Sequence, residues 1–346
     1  MPPPPAWPWQ REQKLANTFP PLARSSALGC ASGAGGPCAP AAPMTHTHTT
    51  SVAIVTRIAD EHTAKRLSPK AKSRTPKGHG QELSHNIVMV DVPIETVRNW
   101  IDAATRIVAL TGAGISTESG IPDFRGPQGV WTKNPKAERL SNIADYMADP
   151  EVRRLAWQGR LNHPAWHAAP GPGHRALVAL ERRGTLHALV TQNIDGLHQR
   201  AGSSDAIVIE VHGTIHEVMC MRCDWRGPMP AVLERLRAGE ADPPCTICGG
   251  ILKSATVSFG QPLVPHVIAR AMQAAENADV LLAVGTSLQV YPIAAAVPAA
   301  RAAGARLVIV NAEPTPFDDI ADAVLRGRIG DVLPEICRSL QALDLT

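Results

Sequence analysis

Residues 107–126 read IVALTGAGISTESGIPDFRG, an apolar strand that runs into a glycine turn and then into a polar loop. Ile107, Val108, Ala109 and Leu110 are apolar at consecutive positions, not at alternate ones. A strand of that kind has no solvated face, so it belongs in a parallel sheet with helices on both sides.

The turn carries Gly112, Ala113, Gly114 and Ser116. Its missing side chains would let the backbone approach a diphosphate, with a following helix offering free N–H groups to it. The usual dinucleotide fingerprint has a third glycine where Thr117 stands, and an acidic residue about twenty positions on in a second strand, which is missing here. Hydride transfer by an ordinary dehydrogenase is therefore disfavoured. A glycine pair alone also fits a purely structural corner. The run Gly120-Ile121-Pro122-Asp123-Phe124-Arg125 adds a rigid polar loop that a plain strand-to-helix connection does not need.

Further strand-length apolar runs lie at 186–190, 207–211, 280–284 and 307–310. Helical spacing is visible at 94–104, 174–183, 265–277, 293–303 and 331–343. This alternation predicts an α/β chain with a Rossmann-like doubly wound parallel sheet. Ligands gather beyond the carboxyl ends of such strands, and polar motifs follow all five: 112–116, 191–198, 212–213, 285–287 and 311–313. Two stretches break the pattern, a Pro- and Trp-rich insertion and a cysteine-bearing segment. The expected division is a large part at 89–126, 171–215 and 253–346, and a smaller domain at 127–170 and 216–252.

Residues 1–88 read as a Pro/Ala-rich disordered tail, with ten Lys and Arg against four Asp and Glu. Of the whole-chain balance of 34 to 31, this leaves 24 to 27 for residues 89–346. A slightly acidic body argues against a specific nucleic-acid partner. Met44 and Met89 are alternative starts, the first of which would shorten the tail and the second remove it. Seven cysteines, an odd number, with no secretory or membrane-spanning segment, predict a reducing, cytoplasmic location and no membrane partner.

Cys220, Cys223, Cys245 and Cys248 form two Cys-x-x-Cys pairs separated by twenty-one residues. Four thiolates so spaced close a tetrahedral zinc site with no open position, so one structural Zn2+ is expected. A redox dithiol would need only one pair. The segment 191–198, TQNIDGLH, clusters Gln192, Asn193, Asp195 and His198 after a strand. It reads either as a cleft cluster or as a polar helix cap. His212 follows the next strand, where an imidazole serves as a general base near neutral pH or as a structural group.

Taken together, GAGIS with GIPDFRG, TQNIDGLH, the His212-Gly213 pair, the cysteine pairs, Ser258-Phe259-Gly260, GTSLQVYP and the Asn311-Ala312-Glu313 run occur in the order found in sirtuins, the NAD-dependent protein deacylases. The chain resembles that family over residues 94–343. The resemblance implies NAD and an acyl-lysine meeting between a large Rossmann-like domain and a small domain of zinc ribbon and helical insertion. It makes His212 the base that activates a ribose hydroxyl, with Asn193 and Asp195 at the ribose and nicotinamide and Gln192 beside them. Gly112, Ala113, Gly114, Ser116, Asp123, Phe124 and Arg125 would form the cofactor loop. Gly285, Thr286, Ser287, Asn311, Ala312 and Glu313 would hold the adenosine side. The implied products are nicotinamide, free lysine and O-acyl-ADP-ribose. Val257, Ser258, Phe259 and Gly260 would capture an acylated peptide by backbone pairing.

Two departures stand out. Gln261 occupies a position that is acidic in many relatives, and Trp157 with Arg160 stands where succinyl-preferring relatives carry Tyr-x-x-Arg. Acetyl or a neutral longer acyl group is therefore expected over an acidic one. Two rival activities share the cofactor: mono-ADP-ribosyl transfer to protein, and zinc-containing NAD sensing without turnover.

Overall fold

The computed structural model describes residues 92–339. The expectation of a basic tail at 1–88 lies outside them. Nine strands form two sheets: β1 Ile107–Thr111, β2 Leu186–Thr191, β3 Val208–Glu210, β4 Gly213–Cys220, β5 Arg226–Pro228, β6 Leu252–Thr256, β7 Val280–Val284, β8 Arg306–Val310 and β9 Ala323–Leu325.

The large sheet is parallel throughout and runs β3-β2-β1-β7-β8-β9. Every residue of β1 and of β7 is buried. The period of two sends Ile107 and Ala109 to one face, where they pack with Val97, Ile101, Leu177, Leu180, Leu333 and Ile336. Val108 and Leu110 go to the other, against Ala271, Ala274, Val297 and Ala300. Helices Ile94–Ala103, Pro172–Arg182 and Ile329–Cys337 thus cover the first face, and Pro265–Glu276 with Ala296–Ala302 covers the second. Burial on both sides is why the strands read as continuous apolar runs and not as alternating ones.

From β1 the chain crosses to β2 on one side, and β7 lies on the other. The switch point therefore falls between β1 and β7, where a crevice opens beyond their carboxyl ends. Two differences from the sequence reading are physical. β9 is a three-residue strand, too short for its period to be seen. The last helix ends at Cys337, with Arg338 extended, six residues before the expected Leu343.

The small sheet is antiparallel, in the order β5-β4-β6. It packs with helix Met229–Arg237 and with Trp157 of helix Pro150–Leu161 around Val218, Leu252, Cys220 and Cys245. Asp149 starts the latter helix by accepting from the Glu151 N–H at 2.8 Å. Among the described residues, no helix is long and apolar enough to cross a membrane.

Candidate active site and metal centre

Three loops meet at the switch point through backbone bonds. The Gly112 N–H donates to Val284 O at 3.0 Å, the Gly114 N–H to Gly285 O at 2.8 Å, and the Gly285 N–H to Val310 O at 2.9 Å. A Cβ on Gly112 would sit 2.7 Å from Gly285 O, and one on Gly114 2.7 Å from Gly285 Cα. The glycines are thus required first by the approach of two loops, before any phosphate is considered. The turn continues as a 3-10 helix, Ala113–Ser119, not as the α-helix that the fingerprint reading supposed.

Behind this turn lies a buried polar network. Asn193 Nδ2 donates to Gly112 O and to Ser116 Oγ, both at 3.1 Å, and Ser116 Oγ donates to Asp195 Oδ2 at 2.8 Å. The other Asp195 oxygen accepts the Leu197 N–H at 3.0 Å, at the start of helix Leu197–Ala201, whose N-cap residue is Gly196. Asp195 thus braces the helix start and also lines the cleft. Exposures of 1 %, 9 % and 4 % for Ser116, Asn193 and Asp195 mean that these bonds are made away from water, where leaving one unmade is costly.

His212 is half-buried at the junction between β3 and β4. Its Nδ1 lies 3.0 Å from the carbonyl of Gln192, and a carbonyl only accepts, so Nδ1 carries the proton. Burial holds the imidazole below its ordinary pKa, partly offset by that bond. Gly213, with φ of 72°, turns the chain here, and a Cβ on it would run into the carbonyl of Ala255. The close approach of β6 thus excludes a side chain at residue 213.

The glycine turn, Ser116, Asn193, Asp195 and His212 line one cleft of about 1030 Å³, at the upper end of roughly 300–1,000 Å³ for small-molecule sites. Gln192 Nε2 reaches across it to Thr286 Oγ1 at 2.9 Å. Gly285, Thr286, Ser287, Asn311 and Glu313 line the far side, whereas Ala312 and Gly260 lie in the same loops without lining it. Arg326 braces that side by donating to the carbonyls of Asn311 and Glu313, each at 2.8 Å. Asp123, Phe124 and Arg125 form the opposite lip. The Phe124 ring stands 4.8 Å from Trp131, whose ring is 5.3 Å from Phe259, and the Arg125 guanidinium lies 4.7 Å over Trp131.

The peptide edge is partly engaged. The Val257 N–H donates to His212 O at 2.8 Å, while Phe259 pairs on both sides with Ser141 and Ile143 at 2.8 and 3.0 Å. Gln261 closes a local turn, its side chain accepting from the Ser258 N–H at 3.2 Å.

Sequence reasoning missed Trp131, Tyr146 and Lys253, which also line the cleft. Their positions relative to the site come from long-range packing, which no local motif signals. Tyr146 Oη donates to Leu252 O at 2.7 Å, and Lys253 donates to the carbonyls of Thr256 and Ser254. Burial, with nearby Arg160, pushes the Lys253 ammonium down to about 7. Trp157 is 1 % exposed, and Arg160 donates to Ser254 Oγ at 3.1 Å.

The four cysteines converge. The sulfurs of Cys220, Cys223, Cys245 and Cys248 all lie within 4.8 Å of one another, with pairs at 3.5 and 3.8 Å. A tetrahedron with Zn–S bonds of about 2.3 Å has edges of about 3.8 Å, so the set fits zinc. The N–H groups of Arg222 and Gly250 donate to Cys220 Sγ and Cys248 Sγ at 3.3 and 3.4 Å. A Cβ on Gly250 would stand 3.0 and 3.1 Å from two of the sulfurs. Nothing in the set is left for a substrate, so the centre is structural.

Comparison with known proteins agrees with this geometry. The Sir2 family profile matches residues 112–292. The NAD-dependent protein deacetylase 2 of Streptomyces coelicolor is 52 % identical over 234 residues, 68 % of this chain and 97 % of the relative. The NAD-dependent protein deacetylase 1 of Pyrobaculum aerophilum is 41 % identical over 254 residues, 72 % of this chain and 96 % of the relative. A solved Sir2 enzyme variant with deacetylated p53 peptide and 3′-O-acetyl ADP-ribose superposes with a TM-score of 0.66 at 35 % identity, over 71 % of this chain and 97 % of the other. A Sir2 homologue in complex with NAD gives 0.64 at 37 % identity, over 72 % and 94 %. A profile match over more than half of the chain and relatives of this identity and coverage show that the chain belongs to the Sir2 family.

Proposed function

We propose that this protein is an NAD-dependent protein-lysine deacylase that acts on acetyl-lysine and yields nicotinamide, free lysine and O-acyl-ADP-ribose. The observation that carries this reading is His212, a neutral imidazole with its Nδ1 proton committed to Gln192, in the same cleft as the Ser116-Asn193-Asp195 network. Bound NAD supplies a sugar carbon with a departing nicotinamide, which the acyl oxygen attacks.

Asn193 and Asp195, locked by Ser116, form a rigid polar wall for the ribose and the nicotinamide amide. Phe124 and its stack on Trp131 keep water from the sugar carbon. His212 Nε2 takes a ribose hydroxyl proton, so that the oxygen can attack the acyl carbon; the lysine amine then leaves with a proton, and one water adds to complete O-acyl-ADP-ribose. The glycine turns at 112–114 and 285–287 cradle the diphosphate and adenosine. Val257 to Gly260 pair with the peptide through the backbone groups that His212, Gln261, Ser141 and Ile143 do not use. The cysteine tetrad holds the small domain, taken as 127–170 and 216–252, together around the core of Val218 and Leu252 and has no part in the chemistry.

The unpaired thiols fit a reducing, cytoplasmic location, and the protein's partners are acylated protein lysines, not nucleic acid. Incubation with NAD and an acetyl-lysine peptide tests the reading. Peptide-dependent nicotinamide release supports it. Release with labelling of protein by ADP-ribose supports transfer instead, and no release supports sensing.

A further inference from the structure

His174 and His198 take no part in the chemistry above, yet they are among the most buried polar residues of the described chain, at 0 % and 1 % exposure. Their rings lie 5.0 Å apart between helices Pro172–Arg182 and Leu197–Ala201. Hydrogen-bond bookkeeping fixes both tautomers. The Gly171 N–H donates to His174 Nδ1 at 3.2 Å, so that nitrogen is unprotonated and the neutral ring carries its hydrogen on Nε2. Thr111 Oγ1 gives its proton to Thr191 Oγ1 at 2.9 Å, so His198 Nε2, 2.9 Å from Thr111 Oγ1, must donate to it. That leaves His198 Nδ1 as a bare lone pair. The two ring atoms without a partner are His174 Nε2 and His198 Nδ1, one a donor and the other an acceptor.

We infer that His174 and His198 form a complementary neutral pair, sharing one hydrogen bond directly or through a single water, and that this pair positions Asn193 for catalysis. From His198 the path runs through observed bonds: His198 to Thr111, Thr111 to Thr191, and Thr191 Oγ1 to the Asn193 N–H at 3.1 Å; the proposed pair adds His174 to its start. Thr111 and Thr191 end the adjacent strands β1 and β2 and face each other in register, so the relay ties strand ends, helix packing and active-site backbone into one unit. Burial keeps both rings uncharged, at about 4 for His174 and about 3 for His198. A protonated ring would lack the lone pair that either His174 Nδ1 or His198 Nδ1 contributes. Neither histidine touches a reacting atom, so both are positioning residues, and the inference rests on the function proposed for Asn193.

The test compares His198→Leu with His198→Gln, whose amide N–H can still reach Thr111. His198→Leu should lower kcat for peptide-dependent nicotinamide release by roughly ten- to a hundredfold with KM for peptide little changed, since small misplacements of a positioned group can cost up to about a hundredfold. His198→Gln should recover most of it. Equal activity of folded His198→Leu and wild type, or a Gln variant as impaired as the Leu variant, would overturn the role. Nitrogen-15 NMR of the histidines in the intact protein decides the pairing even if the Leu variant fails to fold or no deacylation is found. Both rings should be neutral Nε2–H tautomers from pH 6 to 8, and a charged ring or an Nδ1–H tautomer at His198 would remove the pair.

Discussion

The Nδ1–H of His212 donates to the backbone carbonyl of Gln192 at 3.0 Å, which leaves Nε2 as the only lone pair on the ring. A base prepared in this way needs no carboxylate behind it. His212→Ala should therefore lower deacylation by roughly 10²–10⁴-fold, the usual contribution of a positioned acid or base. Folding and NAD binding should survive, because the ring makes one bond and Val257 pairs with the backbone of His212, not its side chain. Near-normal turnover in a folded variant would take histidine out of the mechanism.

The same burial sets the pH dependence. A histidine whose pKa is lowered by desolvation stays neutral further into acid than the ordinary value of about 6.5. Its basic form is present above the depressed pKa and lost only as pH falls through it. The acid limb of kcat/KM should lie below pH 6.5 and vanish in His212→Ala preparations with residual activity. A limb above 6.5 would mean that another group, or a charged partner in the complex, governs the base.

Much of the site was legible because its residues sit directly after strands, where an α/β sheet gathers function. Gly112, Ser116, Asn193, Asp195, His212 and Thr286 each follow a strand whose apolar run is visible in the sequence. The cysteine tetrad was legible from spacing alone. What local pattern could not convey was why Gly112 and Gly114 are glycines, since the group they avoid is the backbone of Gly285, some 170 residues away. Trp131, Tyr146 and Lys253 were invisible for the same reason: each reaches the cleft through packing between distant segments. The tautomers of His174 and His198 depend on hydrogen bonds to Gly171 and Thr111, which only the folded chain brings together.

Ser116 is the hub of the buried network, accepting from Asn193 and donating to Asp195. Ser116→Ala leaves one buried Asn193 N–H and one Asp195 oxygen short of a partner, a loss of about 1–3 kcal/mol in stability. Thermal and urea unfolding should register that loss, and kcat should fall further than the stability change explains. An active variant of unchanged stability would show that water replaces the hydroxyl without consequence.

Cys220 is 4 % exposed and belongs both to the tetrad and to the core around Leu252 and Val218. Metal binding at such a site adds to folding free energy. Cys220→Ser should lower the melting temperature and the zinc content per chain, and a strong chelator should do the same to the wild-type protein. Activity should decline only with the folded fraction. Stoichiometric zinc in the variant, or an unchanged melt after metal removal, would separate the tetrad from stability.

The acyl group should lie against the floor formed by Tyr146, Trp157, Arg160 and Ser254, all of which line the cleft. Trp157 brings an apolar face where a tyrosine hydroxyl would help hold a carboxylate, and the Arg160 guanidinium is tied to Ser254 Oγ at 3.1 Å. An acidic acyl chain would have to lose its own hydration, with only Arg160, whose Nε is already committed to Ser254, and a Lys253 ammonium weakened by burial in return. Acetyl-lysine, or a neutral longer chain, is therefore expected to show the higher kcat/KM in a parallel assay against succinyl-lysine on the same peptide. Preference for succinyl would overturn this expectation and make Arg160 the carboxylate's partner. Arg160→Met separates the two cases: it should leave acetyl-lysine turnover within a few-fold of wild type, but abolish any activity on succinyl-lysine that depends on that charge.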